Sequence, residues 1–161
     1  MSNTTVSPVP NITAWFETLT PATLASIDGV YALDAHFKDP FNDVMGVDKI
    51  RTIYAHMFEN LTEPRFEVTQ VIEQVNKQVS GPASEQPSEQ QNQHHAFVAW
   101  QFKFRWRGKE FDIPGGTRFV INDRGLIIDH VDYWDVASGI YERLPVLGAV
   151  LRGLRKRMGA T

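Results

Sequence analysis

The sequence predicts one α+β domain in which N-terminal helices pack on a strongly curved, mostly antiparallel sheet, with a further helix at the C-terminal end. Apolar residues recur at helical spacing in the first third of the chain, and alternating patterns joined by glycine-containing turns fill much of the remainder. Helices followed by a run of hairpin-connected strands are typical of α+β folds. A length of 161 residues, of which 42% are hydrophobic, suits a single core.

Composition and charge exclude several classes of function. Sixteen Lys and Arg residues against nineteen Asp and Glu leave a formal charge of -3, so no nucleic-acid partner is predicted. The absence of cysteine excludes disulfides, thiolate zinc sites and cysteine nucleophiles. Phosphate-binding and dinucleotide-binding glycine motifs are absent, and no cofactor is predicted. With no secretory signal and no apolar run of about 20 residues, we expect a soluble, cytoplasmic protein.

The N-terminal third of the chain is predicted to be helical after a flexible leader over residues 1–10. Thr20 and Pro21 offer an N-cap and a first-turn proline. An apolar face at helical spacing follows, formed by Leu24, Ile27, Tyr31 and Ala35. Because a residue before proline is pushed out of the helical conformation, Asp39 is expected at a helix-to-strand corner.

A second helix and four strands complete the predicted domain, which spans residues 11–137. The helix covers about 47–60, where apolar residues recur every three or four positions. The strands are predicted over 66–76, 95–107, 110–122 and 125–136. A stretch rich in Gln, Ser and Glu, residues 77–94, is predicted to be a flexible insertion between the first two of them.

Alternation along the last three strands assigns an inner, apolar face to the sheet. On the first of them this face carries Val98, Trp100, Phe102, Phe104 and Trp106. On the next it carries Ile113, Gly115, Thr117, Phe119 and Ile121, provided that no bulge forms at the Pro-Gly-Gly sequence. On the last strand His130 and Asp132 enter the same face beside Trp134.

Three ionisable residues are candidates for catalysis. Asp39 could act as a general base at the mouth of an aromatic cavity, although aspartate before proline is also common in turns. His130 and Asp132 could form a carboxylate-oriented imidazole that serves as acid or base, or a buried pair that only satisfies its own hydrogen bonds. Together with His36, these residues make four side chains of the kinds that bind metals. Their spacing in the sequence matches no compact metal-binding motif, so no metal site is predicted.

Aromatic residues on the predicted inner face are candidates for lining a ligand cavity. Trp15, Trp100, Phe102 and Trp134 could line such a cavity or could fill the core. Tyr54 lies on the apolar face of the second helix and could donate a hydrogen bond to a ligand or to Asp39.

The C-terminal segment over 138–161 is predicted to be an amphipathic helix with a basic end. Its apolar residues suit docking on its own domain, and its basic last turn suits the helix dipole. Contact with anionic lipid or a partner is the alternative.

Several short motifs occur in a recognisable order: YALDAHFKDPF at 31–41, GVDKI at 46–50, WRG at 106–108, RF at 118–119, NDRGLI at 122–127 and YW at 133–134. With these motifs the chain resembles the nuclear transport factor 2-like superfamily, and within it the SnoaL-like and steroid Δ5-3-ketoisomerase branch. The resemblance covers roughly residues 12–136. It implies a cone of three helices against a curved sheet, and a homodimer formed through the outer face of that sheet.

The resemblance also implies roles for individual residues. Asp39 matches the catalytic base of the ketoisomerases, Tyr54 a supporting tyrosine, and Trp134 a pocket tryptophan. Trp15 and Thr117 fall near the two oxyanion-hole positions, and both are weaker donors than the residues they replace, so efficient steroid isomerisation is not expected. His130 and Asp132 could take the acid and base roles of SnoaL-type cyclases.

The sequence therefore predicts a small-molecule pocket protein whose partner is an apolar ligand. The leading hypothesis is a cofactor-free isomerase or cyclase that removes a proton next to a carbonyl group. A non-catalytic carrier of an apolar or lipid-like ligand and a pure interaction module are the alternatives.

Overall fold

The chain folds as three helices packed on one six-stranded, open, curled sheet. The structure is a computed structural model, and it describes residues 6–74 and 93–135. Helix α1 covers Val9–Glu17, a 3-10 helix covers Thr23–Gly29, and helix α2 covers Val47–Asn60. The strands are β1 (Tyr31–Lys38), β2 (Asp43–Met45), β3 (Thr62–Gln74), β4 (His94–Trp106), β5 (Lys109–Ile121) and β6 (Ile127–Trp134). The predicted α+β class is confirmed.

The sheet has the strand order β2-β1-β6-β5-β4-β3. Strands β1 and β6 are parallel, and every other neighbouring pair is antiparallel. Strand β6 therefore lies near the middle of the sheet, bonded on both sides. This position places the first strand of the described residues beside the last one.

The predicted hairpin between β4 and β5 is confirmed, and its register is continuous from His94 opposite Ile121 to Trp106 opposite Lys109. Arg107 and Gly108 both have positive φ (49° and 75°), as a two-residue turn that matches strand twist requires. The Pro-Gly-Gly sequence in β5 causes no bulge against β4.

The inner face of the sheet carries the core, as the alternation predicts. Val98, Trp100 and Phe104 of β4 are buried, and so are Ile113 and Phe119 of β5. Helix α2 packs on this face and begins after Gly46, whose φ of 101° is a conformation that side chains disfavour. The predicted bounds of α2 are confirmed.

The N-terminal prediction was wrong in two respects. The helix predicted from the spacing of Leu24, Ile27, Tyr31 and Ala35 ends at Gly29, and strand β1 begins at Tyr31. Residues four apart lie on one face of a helix and also on one face of a strand, so this spacing does not distinguish the two. Asp39 consequently follows a strand, not a helix.

Helix α1 was not predicted, and it begins inside the segment predicted to be a flexible leader. Val9 is buried, and the Ser7 hydroxyl donates to Glu73 Oε2 at 2.6 Å. The first five residues, most of the predicted insertion 77–94, and the predicted C-terminal helix over 138–161 lie outside the described residues. Within 6–74 and 93–135, no helix is long and apolar enough to cross a membrane.

A charged network joins four strands on the outer face of the sheet. His36 of β1 contacts Asp129 through Nδ1 (2.6 Å) and Asp43 through Nε2 (2.8 Å). Arg118 of β5 contacts Asp129 at 2.5 Å, and Lys38 contacts Asp43 at 2.7 Å. The hydrogen bonds to Asp43 and Asp129 raise the pKa of His36 above its ordinary value. Only the doubly protonated imidazole can donate to both carboxylates at once.

The raised pKa of His36 predicts a loss of stability at alkaline pH. The contribution of His36 is fully present below its unfolded-state pKa of about 6.5 and is lost as the pH rises through its higher folded-state pKa. The melting temperature of the wild type should fall as the pH rises across this range, and the fall should be smaller for His36→Gln. His56→Gln, which changes an exposed histidine outside this network, should retain the wild-type dependence. Identical pH profiles for His36→Gln and the wild type would contradict the assignment.

Candidate functional site

An aromatic cleft opens between helix α2 and the inner face of the sheet. Its volume of about 420 Å³ lies within the range of small-molecule sites. Its walls come from α2, β3, β4, β6 and the end of β1. Nine of its lining residues are aromatic: Phe37, Phe41, Tyr54, Phe66, Trp100, Phe102, Phe104, Trp106 and Trp134.

Two of the predicted catalytic residues, Asp39 and Asp132, line this cleft. Four of the predicted ligand-binding residues line it as well: Tyr54, Trp100, Phe102 and Trp134. The structure therefore places two carboxylates that are far apart in the sequence in the wall of one cleft: Asp39, directly after β1, and Asp132, near the end of β6.

The remaining predicted residues lie elsewhere. His130 and Thr117 are buried behind Asp132, where they line a second, small cavity of about 20 Å³ with room for about one water molecule. Trp15 lines neither cavity, because its Nε1 donates to the Ser26 hydroxyl at 3.0 Å. Its neighbour Phe16 lines the small second cavity instead.

Asp39 is held in a tight turn at the mouth of the cleft. Its Oδ1 accepts hydrogen bonds from the backbone N–H groups of Phe41 (2.7 Å) and Asn42 (2.6 Å). The Asn42 side-chain amide donates to both carboxylate oxygens at 3.0 Å. Asp39 therefore both forms a turn and lines the cleft, the two alternatives that the sequence left open. Oδ2, with one hydrogen bond, retains acceptor capacity toward the cleft.

Asp132 is held by two neighbours through the same oxygen. Its Oδ1 accepts from His130 Nε2 at 2.8 Å and from the Thr117 hydroxyl at 2.5 Å. Trp100 Nε1 in turn donates to Thr117 Oγ1 at 2.8 Å. Within the described part of the chain, no hydrogen bond engages Oδ2 of Asp132.

Two tyrosines extend this network on the other side of His130. The Tyr31 hydroxyl lies 2.7 Å from His130 Nδ1 and 3.1 Å from the Tyr54 hydroxyl. Burial raises the pKa of Tyr31 well above its ordinary value, and the neighbouring Tyr54 adds to the shift. Burial raises the pKa of Tyr54 in the same way, with further contributions from the negative charges of Asp132 and Asp39. Both hydroxyls therefore keep their protons at neutral pH.

The protonation of His130 sets the direction of these hydrogen bonds. When His130 is neutral with its proton on Nε2, Tyr31 donates to Nδ1 and Tyr54 donates to Tyr31. When His130 is doubly protonated, Nδ1 donates to Tyr31, Tyr31 donates to Tyr54, and the Tyr54 proton is free to point into the cleft. Nε2 donates to Asp132 in both states.

A glycine fixes the position of the indole that supports Thr117. A Cβ atom at Gly115 would lie 2.2 Å from Cη2 of Trp100. Only glycine leaves space for this ring to lie flat on β5, where its N–H reaches Thr117.

Sequence reasoning did not identify Tyr31 as part of the site. Tyr31 was assigned to a helix, and its contact with His130 arises from the parallel pairing of β1 with β6. Phe41 was also missed, although an aromatic residue directly after the Asp39-Pro40 turn was the available signal in the sequence. Within the two described ranges, no group of three or more His, Asp or Glu residues could hold a metal ion.

Residues 12–130 match the family of the SnoaL-like domain. The chain belongs to this SnoaL-like family. The match covers most of the chain, and the nuclear transport factor 2-like superfamily suggested by the sequence motifs is confirmed. No curated protein matches the chain significantly.

Solved structures share the SnoaL-like fold at low sequence identity. An LEH-like epoxide hydrolase from Mycobacterium tuberculosis has a TM-score of 0.60 and 13% identity, over 91% of this chain and 96% of that one. A proposed scytalone dehydratase from Novosphingobium aromaticivorans has a TM-score of 0.61 and 6% identity, over 80% and 82%. A protein with a ketosteroid isomerase-like fold from Catenulispora acidiphila has a TM-score of 0.57 and 17% identity, over 85% and 92%.

Identities this low establish the fold of the SnoaL-like chain and nothing about its reaction. Relatives of one fold carry different chemistries, since activity depends on the side chains that a fold presents. The function must therefore be argued from the cleft itself.

Proposed function

We propose that the protein binds an apolar carbonyl compound in the aromatic cleft and catalyses proton transfer on it without a cofactor. One observation carries this proposal. Asp132 lines the cleft with one carboxylate oxygen fixed by His130 and Thr117, while no hydrogen bond engages its other oxygen within the described residues. A fixed carboxylate with a free lone pair at an apolar surface suits a general base.

Asp132 acts as the base in this mechanism. Its Oδ2 takes a proton from the carbon next to the carbonyl group. The electron pair of the broken C–H bond moves onto the carbonyl oxygen, which gives an enolate. His130 does not touch the substrate, and it orients Asp132 from behind through the 2.8 Å hydrogen bond to Oδ1.

Tyr54 acts as the acid, supplied by a relay of hydrogen bonds. With His130 doubly protonated, Tyr54 gives its proton to the enolate oxygen and takes the proton of Tyr31. Tyr31 takes the proton from His130 Nδ1, and His130 is left neutral with its Nε2–H still donated to Asp132. The two transfers within the protein use the contacts of 3.1 Å between Tyr54 and Tyr31 and 2.7 Å between Tyr31 and His130, while the 2.8 Å hydrogen bond to Asp132 holds His130 in place.

The second half of the cycle restores the starting state. In a substrate with a β,γ double bond the intermediate is a dienol, and Asp132 returns its proton to the γ-carbon while the enol proton passes back through Tyr54 and Tyr31 to His130. The net result is a shift of one double bond, and no proton is gained or lost. Attack of the enolate carbon on a second carbonyl group would give ring closure from the same intermediate.

The geometry does not favour steroid isomerisation. Trp15 and Thr117 lie near the positions that the ketoisomerase resemblance assigns to the oxyanion hole. Both direct their polar hydrogens elsewhere, to Ser26 and to Asp132. Neither residue lines the cleft, so neither can donate to a substrate oxygen there.

Replacing Asp132 should remove proton abstraction. In deuterated buffer the wild type should accelerate exchange of the α-protons of 2-tetralone, an aromatic ketone small enough for the cleft, as followed by proton NMR. Asp132→Asn should lower that rate by about 10² or more, because the amide has no basic oxygen. Asp34→Asn, an exposed carboxylate outside the cleft, is the matched control and should exchange at the wild-type rate. Binding of 2-tetralone without accelerated exchange would contradict the proposal and favour a carrier.

Replacing Tyr31 should interrupt the relay without touching the ligand. Tyr31→Phe keeps the buried ring but removes the hydroxyl between His130 and Tyr54, so the exchange rate should fall about tenfold or more at unchanged 2-tetralone affinity. Tyr54→Phe, which removes the terminal donor, should show the same loss. Tyr133→Phe, on an exposed tyrosine, is the control. Wild-type exchange by a folded Tyr31→Phe variant would contradict the relay.

A further inference from the structure

Two aromatic rings, steeply inclined to each other, lie near Asp39 at the mouth of the cleft. The rings of Phe41 and Trp134 lie 5.5 Å apart between centroids, with their planes at 71°. Phe41 is 56% exposed although it is a large apolar residue. The electron-rich faces of aromatic rings attract cations, and the exposed ring of Phe41 offers such a face at the mouth of the cleft.

The charges that line the cleft have one sign. The lining contains the carboxylates of Asp39 and Asp132 and the imidazole of His56, and no lysine or arginine from the described ranges 6–74 and 93–135. Burial raises the pKa of Tyr54 in the cleft wall, and the negative charges of Asp132 and Asp39 raise it further. An anionic ligand would meet repulsion from the two carboxylates, with no compensating lysine or arginine among the described lining residues.

Asp39 has one oxygen committed to the turn and one available for a ligand. Oδ1 accepts three hydrogen bonds from Phe41 and Asn42, so the carboxylate cannot rotate without breaking the turn. Among the residues that the structure describes, Oδ2 accepts only from the Asn42 amide. A carboxylate fixed in this way, beside two ring faces, offers the elements of an aromatic cage for an ammonium group.

We propose that the substrate of this cleft carries a cationic amine head group, which binds Phe41, Trp134 and Asp39 while its apolar body extends to Asp132. This inference rests on the proposed function for the choice of cleft, and it assigns Asp39 a role in charge recognition in place of the base role expected from the sequence. Recognition of the head group and proton transfer are then assigned to different carboxylates, Asp39 and Asp132.

The test compares two ligands of the same shape that differ in charge. Phenyltrimethylammonium and its neutral isostere tert-butylbenzene are titrated into the full-length protein, and binding is followed by tryptophan fluorescence, since three tryptophans line the cleft. The cation should bind about tenfold more tightly than the neutral compound, a difference expected for a cation in contact with aromatic faces and a carboxylate. Benzenesulfonate should not bind measurably.

Two variants locate the selectivity. Asp39→Asn keeps an oxygen acceptor for the turn and should reduce cation affinity about tenfold while leaving tert-butylbenzene affinity unchanged. Phe41→Leu keeps an apolar side chain and should reduce cation affinity about threefold or more. Asp34→Asn is the control for a general charge effect and should change neither affinity.

Equal affinity for the cation and its isostere, or full retention of selectivity in Asp39→Asn, would overturn the inference. The readout is equilibrium binding, so it does not depend on turnover. Absence of α-proton exchange together with cation-selective binding would refute the proposed reaction and leave this inference standing. Acceleration of α-proton exchange without selective binding of the cation would support the proposed reaction and refute this inference.

Discussion

The hydrogen-bonded pair of His130 and Asp132 is the constraint around which the rest of the domain is arranged. Both residues sit on the apolar face of β6, where an ionisable group without partners would cost several kcal/mol. The sheet order places partners on either side, Tyr31 from β1 and Thr117 from β5, and Trp100 of β4 in turn donates to Thr117. Among the described residues, no buried side-chain polar atom lacks a hydrogen bond.

Satisfying this pair also determines the shape of the cleft. Trp100 must lie flat on β5 to reach Thr117, which requires a glycine at position 115, and the flat indole then forms part of the cleft wall. Tyr54 reaches Tyr31 from helix α2 and forms part of the opposite wall. The polar network and the aromatic cavity are therefore two aspects of one arrangement. A change at Trp100, which belongs to both, would alter both stability and ligand binding.

Strand alternation was sufficient to predict the inner face of β4, β5 and β6, including the entry of His130 and Asp132 into it. The helical period likewise predicted α2 and the inward position of Tyr54, since both patterns are local. The first part of the chain was harder, because the spacing of Tyr31 and Ala35 suits a strand as well as a helix. The parallel contact of β1 with β6 joins segments about a hundred residues apart, and no local pattern announces it. Tyr31 was therefore missed, and Trp15, expected either to line the cavity or to fill the core, packs against the core with its indole N–H donated to Ser26.

The location of protons in the network tests this account most directly. A neutron structure of the deuterated protein would show which nitrogen and oxygen atoms of His130, Asp132, Tyr31 and Tyr54 carry deuterium. If Asp132 is the base, we expect a deuteron on His130 Nε2, directed at Asp132 Oδ1, and no deuteron on Asp132 Oδ2. A protonated Asp132 beside a His130 that carries its only deuteron on Nδ1 would contradict it, because Asp132 could then not serve as the base.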